Sequence, residues 1–195
     1  MKNENTRDKI FRIAADLFTK KGYKKTTVDD ICEACNISKR TFYYHLKSKS
    51  DILFHYYDYI IDNITPLLIQ MLNKESSWDK FMLIFEELIN SIEKLGPDIN
   101  GQILSLNLQN NENFLDLREN LTEIAVKTIR DGQENKQIRN MNNPDELYRS
   151  AAYMFTGYQY MWCVREGDFP WRDLFFNSLE NIFDIDPDLR RYSDD

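Results

Sequence analysis

Apolar residues recur along this chain three and four positions apart in almost every stretch, the period of a buried helix face and not of a strand. Ile10, Ala14, Leu17 and Phe18 form the first such stripe, opened by Thr6 as a cap and closed after about Lys21 by Gly22. Val28, Ile31 and Cys35 form the second, capped by Thr27, with Asp29 and Asp30 in its first turn, where carboxylates favour the positive helix end. It must stop at Asn36, since asparagine tolerates the left-handed backbone of a sharp turn. Ser38 opens a third helix in which Phe42 and Leu46 share one face, while Arg40, Thr41, Tyr43, Tyr44 and Lys47 point mostly away from it.

The pattern continues beyond this cluster. Ser48 caps a long helix through Ile52, Leu53, Tyr56, Tyr57, Ile60, Ile61 and Ile64. Phe81, Phe85, Leu88, Ile89 and Ile92 mark a helix from Trp78 to Leu95 that Gly96 and Pro97 end, and Ile103, Leu104 and Leu108 place a short one within Ile99 to Gln109. Phe114 to Asp131 is amphipathic through Leu117, Leu121, Ile124 and Ala125, and Gly132 to Met141 reads as its end and a connection. Asn143, Pro144, Asp145 and Glu146 are a cap, a first helical residue and two first-turn acids. That helix runs to about Arg165. Pro170 opens a last one through Leu174, Phe175, Leu179, Ile182 and Phe183, and Asp184 to Asp195 is an acidic tail expected to fray.

With six glycines and five prolines in 195 residues there is little material for the turns of a β fold, so the expectation is all-α, with about nine helices. The net charge of -7 taken alone argues against a polyanionic partner. Its distribution reverses that: residues 1 to 50 hold 12 Lys and Arg against 6 Asp and Glu, and the remainder is strongly acidic. Phosphate is attracted by a local face and not by the sum over the molecule.

The third helix carries the chemistry. A short helix that buries phenylalanine and leucine while presenting arginine, lysine, threonine and two tyrosines suits a DNA groove, because cations neutralise phosphate, hydroxyls orient on it, and tyrosine adds a plane with a polar tip. The run ICEACNISKRTFYYHLKSK, residues 31 to 49, resembles the helix-turn-helix of the TetR/AcrR family of bacterial transcriptional regulators. Asn36 stands where that family commonly has glycine, and Arg40 where a small residue is frequent. The specific resemblance covers about the first third of the chain; beyond it only the helical layout is similar. It implies base-edge contacts from Lys39, Arg40, Thr41 and Tyr43, with Tyr44 on the same outward side, and phosphate contacts from Thr27, Ser38, His45 and Lys49.

On this reading residues 1–47 are a three-helix DNA-binding head and residues 48–195 an effector-binding and dimerisation domain, entered by a linker helix from about residue 48. The resemblance implies a homodimer on a palindromic operator, released by a small molecule, and the lack of a membrane-span or cleavable signal pattern makes a cytoplasmic protein the expectation. The run AYMFTGYQYMW from Ala152 puts Met154, Tyr158, Met161 and Trp162 on roughly one face, with Tyr153, Tyr160 and Val164 elsewhere. A helix apolar nearly all round is buried on more than one side, so one side can line a cavity and the other a subunit interface, with plain core a competing fate for each residue. Candidate effector-lining residues are Phe85, Leu104, Leu121, Met154, Tyr158 and Trp162, and candidate interface residues are Phe175, Leu179, Ile182 and Phe183.

Cys32 and Cys35 are spaced as a CxxC pair, but a structural zinc normally needs four ligands, and packing in a helix is the simpler role. No nucleophile elbow, phosphate-cradling glycine loop or paired-histidine zinc motif is present, so neither an enzyme nor a cofactor is expected. No apolar run reaches the length of a membrane span. The alternatives to an effector-released repressor are an effector-independent DNA-binding or protein-interaction module, and an activator of the same family.

Overall fold

In a computed structural model the chain is described over residues 5–54, 65–110 and 119–192. Regular structure among these residues is helical, apart from an isolated antiparallel bridge between Ile138 and Ile185. The expected linker positions His55, Tyr56, Tyr57, Ile60, Ile61 and Ile64, like Phe114 and Leu117, lie outside the described residues. Contacts divide the chain into two compact units, Met1–Asp62 with Ile92–Leu115, and Asn63–Ser91 with Asp116–Asp195.

In the first unit, α1 (Thr6–Lys21) begins one residue earlier than Thr6 as cap would have it, because the Asn5 side chain accepts the Asp8 N–H at 2.9 Å. Its end is as expected: Gly22 stands at φ 82, ψ 149, a conformation that disfavours a side chain. α2 (Val28–Cys35) has a full capping box, with Asp30 N–H donating to Thr27 Oγ1 and Thr27 N–H to the Asp30 carboxylate. Asn36 ends it in the left-handed conformation (φ 51, ψ 51), and α3 (Lys39–His45) starts at once from the Ser38 cap. Ile10, Ala14, Phe18, Ile31, Cys35, Phe42 and Leu46 close over one another, and Ile52 and Leu53 join them from the helical residues 50–54, which Ser48 caps together with Asp51.

The same core takes in Leu95, Ile99 and Ile103 from α5, a long helix (Ser77–Asn110) that follows α4 (Thr65–Leu72). Gly96, at φ 80 and ψ 166, breaks α5 into two helices, so the predicted end at Gly96 and Pro97 is a sharp break without an intervening loop. A break strands carbonyls that the ladder would have satisfied. Asn100, buried, takes over: its Nδ2 donates at 2.8 Å to both Ile92 O and Gly96 O.

The second unit packs α4, the first part of α5, α6 (Glu119–Glu134), α7 (Pro144–Val164) and α8 (Trp171–Ile182). α7 begins as its sequence signals require, with Asn143 accepting the Asp145 N–H and Pro144 at the first helical position. The centre of this unit is aromatic: Phe85 lies 5.5 Å from Phe155 and 4.9 Å from Phe175 by ring centroid, with Trp78, Phe81 and Phe183 packed at tilted angles beside them. Offset and edge-on rings of this kind add about 0.5–1.5 kcal/mol per pair to the burial itself.

α6 ends at Glu134, within the stretch Gly132 to Met141 expected to hold its end and a connection; a Cβ on Gly132 would come within 2.8 Å of Ile138 Cδ1, and the absent side chain lets the returning chain close on the helix. One expectation is corrected here: the tail does not fray from Asp184. Ile185 is buried, Asp186 N–H donates to Gln137 O, a 3-10 turn forms at Pro187–Leu189, and Arg191 pairs with Asp79. Glu180, fully buried on α8, accepts the N–H groups of Arg191 (2.8 Å) and Tyr192 (3.1 Å), so the segment is strapped down as far as Tyr192.

Candidate functional site

The outward side of α3 is made by what its inward side buries. Phe42 is completely buried and Leu46 almost so, which fixes the roll of the helix and turns Lys39, Arg40, Tyr43 and Tyr44 to the exterior. Tyr44 is 84 % exposed and Tyr43 55 %, unusual for rings this large unless the surface meets something. Ser38 Oγ caps α3 through the Thr41 N–H at 3.0 Å and lies 2.8 Å from Thr41 Oγ1, so two hydroxyls sit together at the start of the helix. Thr27 holds the matching place on α2, its hydroxyl engaged by Asp30, and His45 lies half-buried at the far end of α3.

Two lysines of the expected set are already engaged. Lys49 Nζ donates to Tyr23 O and Thr26 O, both at 2.7 Å, and sits 4.0 Å from the centre of the Tyr23 ring; burial lowers its pKa. Its ammonium binds the α1–α2 turn of its own head, and on the other side of that turn Asp98 accepts the Tyr23 N–H. Lys39 Nζ lies 2.8 Å from Asp29 Oδ1, a pairing across the helix-turn-helix that raises the lysine's pKa. Arg40 is exposed. The capping carboxylate of Asp30 is held down to about 2, first by its bonds from Thr27 and then by Lys21 at 3.1 Å.

In the second unit Phe85, Tyr158 and Trp162 converge on one aromatic cluster. Tyr158 Oη is 2.8 Å from Ser178 Oγ with its ring beside Phe169 and Phe175, and Trp162 stacks on Trp171, which touches Phe155. Leu121 is buried on α6 and Met154 half-buried on α7, in the same unit, whereas Leu104 is buried in the unit that holds the head. Cys32 and Cys35 are buried in the core of the first unit, and the described residues contain no group of three or more His, Cys, Asp or Glu placed to hold a metal.

The expected interface residues fare differently. Phe175, Leu179 and Phe183 are fully buried within the chain's own aromatic core, so they have no surface to offer a second chain; only Ile182 is exposed. The residues facing outward on the same two helices are Tyr153, Tyr160, Met161 and Val164 of α7 and Leu174 and Ile182 of α8. On α7 the first four are interrupted only by Gly157, which has open space where a Cβ would point. The alternation was legible as an all-round apolar helix, but an amphipathic count does not say which of two apolar sides the chain covers for itself.

A family model described as bacterial regulatory proteins, tetR family, matches residues 10–56. Over 117 residues the chain is 30% identical to the biofilm operon icaADBC HTH-type negative transcriptional regulator IcaR of Staphylococcus aureus (strain Newman), a match covering 52% of this chain and 63% of that regulator. The match thus spans less than two thirds of the relative's length. Across nearly the whole chain the fold is similar to the fatty acid degradation regulator FadR of Bacillus halodurans, at TM-score 0.67 and 15% identity over 94% of this chain and 97% of that one. It is also similar to FadR of Thermus thermophilus in complex with lauroyl-CoA, at TM-score 0.65 and 15% identity over 97% and 98%. Among the described residues no helix is long and apolar enough to cross a membrane. With the helix-turn-helix assembled as its caps require, residues 10–56 match the tetR family of bacterial regulatory proteins, and over nearly the whole chain the fold is similar to that of the two FadR regulators.

Proposed function

We propose that residues 1–47 form a DNA-binding head, that residues 48–195 form a body carrying the effector and dimer surfaces, and that the chain acts as a homodimeric repressor released from a palindromic operator by a small molecule. The observation that carries the DNA reading is the exterior of α3: Lys39, Arg40, Tyr43 and Tyr44 are exposed around a helix whose other side is wholly buried. Such a helix end fits the major groove, where lysine and arginine donate to purine acceptors and tyrosine meets sugar, phosphate or a thymine methyl. Thr27, Ser38, Thr41 and His45 frame the exterior as phosphate-orienting groups, and Lys49 supports the head from within.

One seven-residue helix reads only a few base pairs, so two heads are needed. The apolar exterior of α7, from Tyr153 to Val164, with Leu174 and Ile182 of α8, supplies a self-complementary face for a second copy, and this replaces Phe175, Leu179 and Phe183 in the interface. The effector is a largely apolar molecule held beside Phe85, Tyr158 and Trp162; that one structural relative is in complex with lauroyl-CoA supports this class. Repression is supported by the name of the staphylococcal relative, a negative regulator. The effector acts by binding one spacing of the two heads better than the other.

The test is selection of duplexes from a random pool followed by salt titration. Lys39→Ala and Tyr43→Ala should each weaken binding to the selected duplex across the salt series. Unchanged affinity in both variants refutes the assignment. Tyr160→Glu on α7 should turn the dimer into a monomer in sedimentation, and a wild type that is monomeric at micromolar concentration refutes the two-headed scheme.

A further inference from the structure

Asp29 lies in the first turn of α2 but takes no part in its capping box. The capping box uses Thr27 and Asp30, and Asp30 also takes the ion pair with Lys21. Asp29 instead reaches across the turn to Lys39, the first residue of α3, at 2.8 Å, with both side chains more than half exposed. Tyr43 follows Lys39 by one turn on the same exterior. A carboxylate on a surface that meets phosphate costs affinity for every DNA sequence alike, so its presence there calls for a gain that depends on sequence.

Resting on the DNA-binding reading above, the geometry points to Asp29 as a positioning residue that sets specificity: its carboxylate holds Lys39, cancels that cation's attraction to phosphate, and leaves it aimed along the turn. Non-specific binding is almost entirely phosphate neutralisation by cations, and an ammonium already paired at 2.8 Å adds little to it. A base edge that presents two acceptors to Lys39, as guanine does in the major groove, competes with the carboxylate for the ammonium, whereas a lone phosphate oxygen on a wrong sequence does so less well. Asp29 acts through Lys39 and touches no base. The raised pKa of Lys39 agrees with this, since the lysine stays a full cation while it is held.

The experiment compares the full chain with Asp29→Asn, Lys39→Met and the double variant, on a duplex enriched from a random pool by the wild type and on a random-sequence duplex. In Asp29→Asn the affinity for the random duplex should rise about two- to fivefold, the range of an exposed ion pair, and its salt dependence should steepen by about 0.9 in log–log slope, one further phosphate neutralised. Preference for the selected duplex should fall. In the Lys39→Met background, Asp29→Asn should no longer change the preference or the slope. Equal slopes and preferences for wild type and Asp29→Asn overturn the inference, and so does an Asp29→Asn effect that persists undiminished without Lys39, which would be plain repulsion. If the wild type enriches no sequence and binds the random duplex without salt dependence, the DNA reading itself fails and this inference falls with it. Both side chains are exposed, so circular dichroism of each variant should match the wild type.

Discussion

Replacing Asn100 by leucine tests how the break in α5 is held. Leucine is similar in size and keeps the apolar packing, but removes both donors: Ile92 O, in a buried bond, loses the 2.8 Å partner that stands in for the missing helical N–H, and Gly96 O loses one at the same distance. A buried acceptor left without a partner costs about 1–3 kcal/mol, and one of the two carbonyls is only partly shielded, so the loss should be about 2–4 kcal/mol. Set against a typical total of about 5–15 kcal/mol, that is a large fraction of the stability of the unit concerned. Asn100→Asp should be worse, because it brings a third acceptor, and a charge, to two carbonyls. The assay is urea unfolding followed by two probes. All three tryptophans, Trp78, Trp162 and Trp171, lie in the second unit, so their fluorescence reports that unit, while far-ultraviolet circular dichroism reports helices of both. The variant should lose circular dichroism at lower urea than the wild type, ahead of the fluorescence change. A midpoint unchanged in both probes would show that Asn100 is not what satisfies the break.

Three further outcomes are expected. The Asp30 carboxyl is lowered from 3.8 to about 2 in the fold, so its contribution is fully present above pH 4 or so and is lost as pH falls toward 2; thermal melts across that window should slope less in Asp30→Asn than in the wild type, and parallel slopes refute the role of the capping box. Glu180→Leu removes two charge-assisted bonds to the C-terminal strap, a tether of about 3 kcal/mol, so trypsin should cut after Arg190 or Arg191 on the order of 100-fold faster, and an unchanged cleavage rate would show that the bridge at Ile185 and the Arg191–Asp79 pair suffice alone. Burial pushes the Cys163 thiol up to about 12 and raises that of Cys32, so alkylation at pH 8 should label little until the chain is unfolded in urea; rapid labelling of the native protein contradicts it.

What could be read from the amino acids alone was what depends on neighbours in sequence. Thr27 with Asp30, Asn36, Ser38, and Asn143 with Pro144 each act within four residues, and the helices start and stop where those residues require. Gly132 answers to a partner beyond that range, Ile138, six residues on and folded back, which its sequence neighbours do not announce. The strap failed for the same reason at longer range: nothing in the acidic run after Asp184 announces that Ile185 will meet Ile138, or that Glu180 will receive two backbone N–H groups. Lys39 and Lys49 were assigned to DNA contacts through the family resemblance, and their engagements with Asp29 and with the Tyr23 and Thr26 carbonyls are products of packing between elements.

The completion of the head's core by Leu95, Ile99 and Ile103 bears on anyone who would transplant it. A chimera spliced at residue 47 would carry α3 but leave behind Ile52, Leu53, Leu95, Ile99 and Ile103, so a flank of the head's apolar core would face solvent and the polypeptide would tend to clump. A portable version has to bring its own replacement for that distant stretch, whether by importing the second half of α5 or by repainting the flank with polar residues.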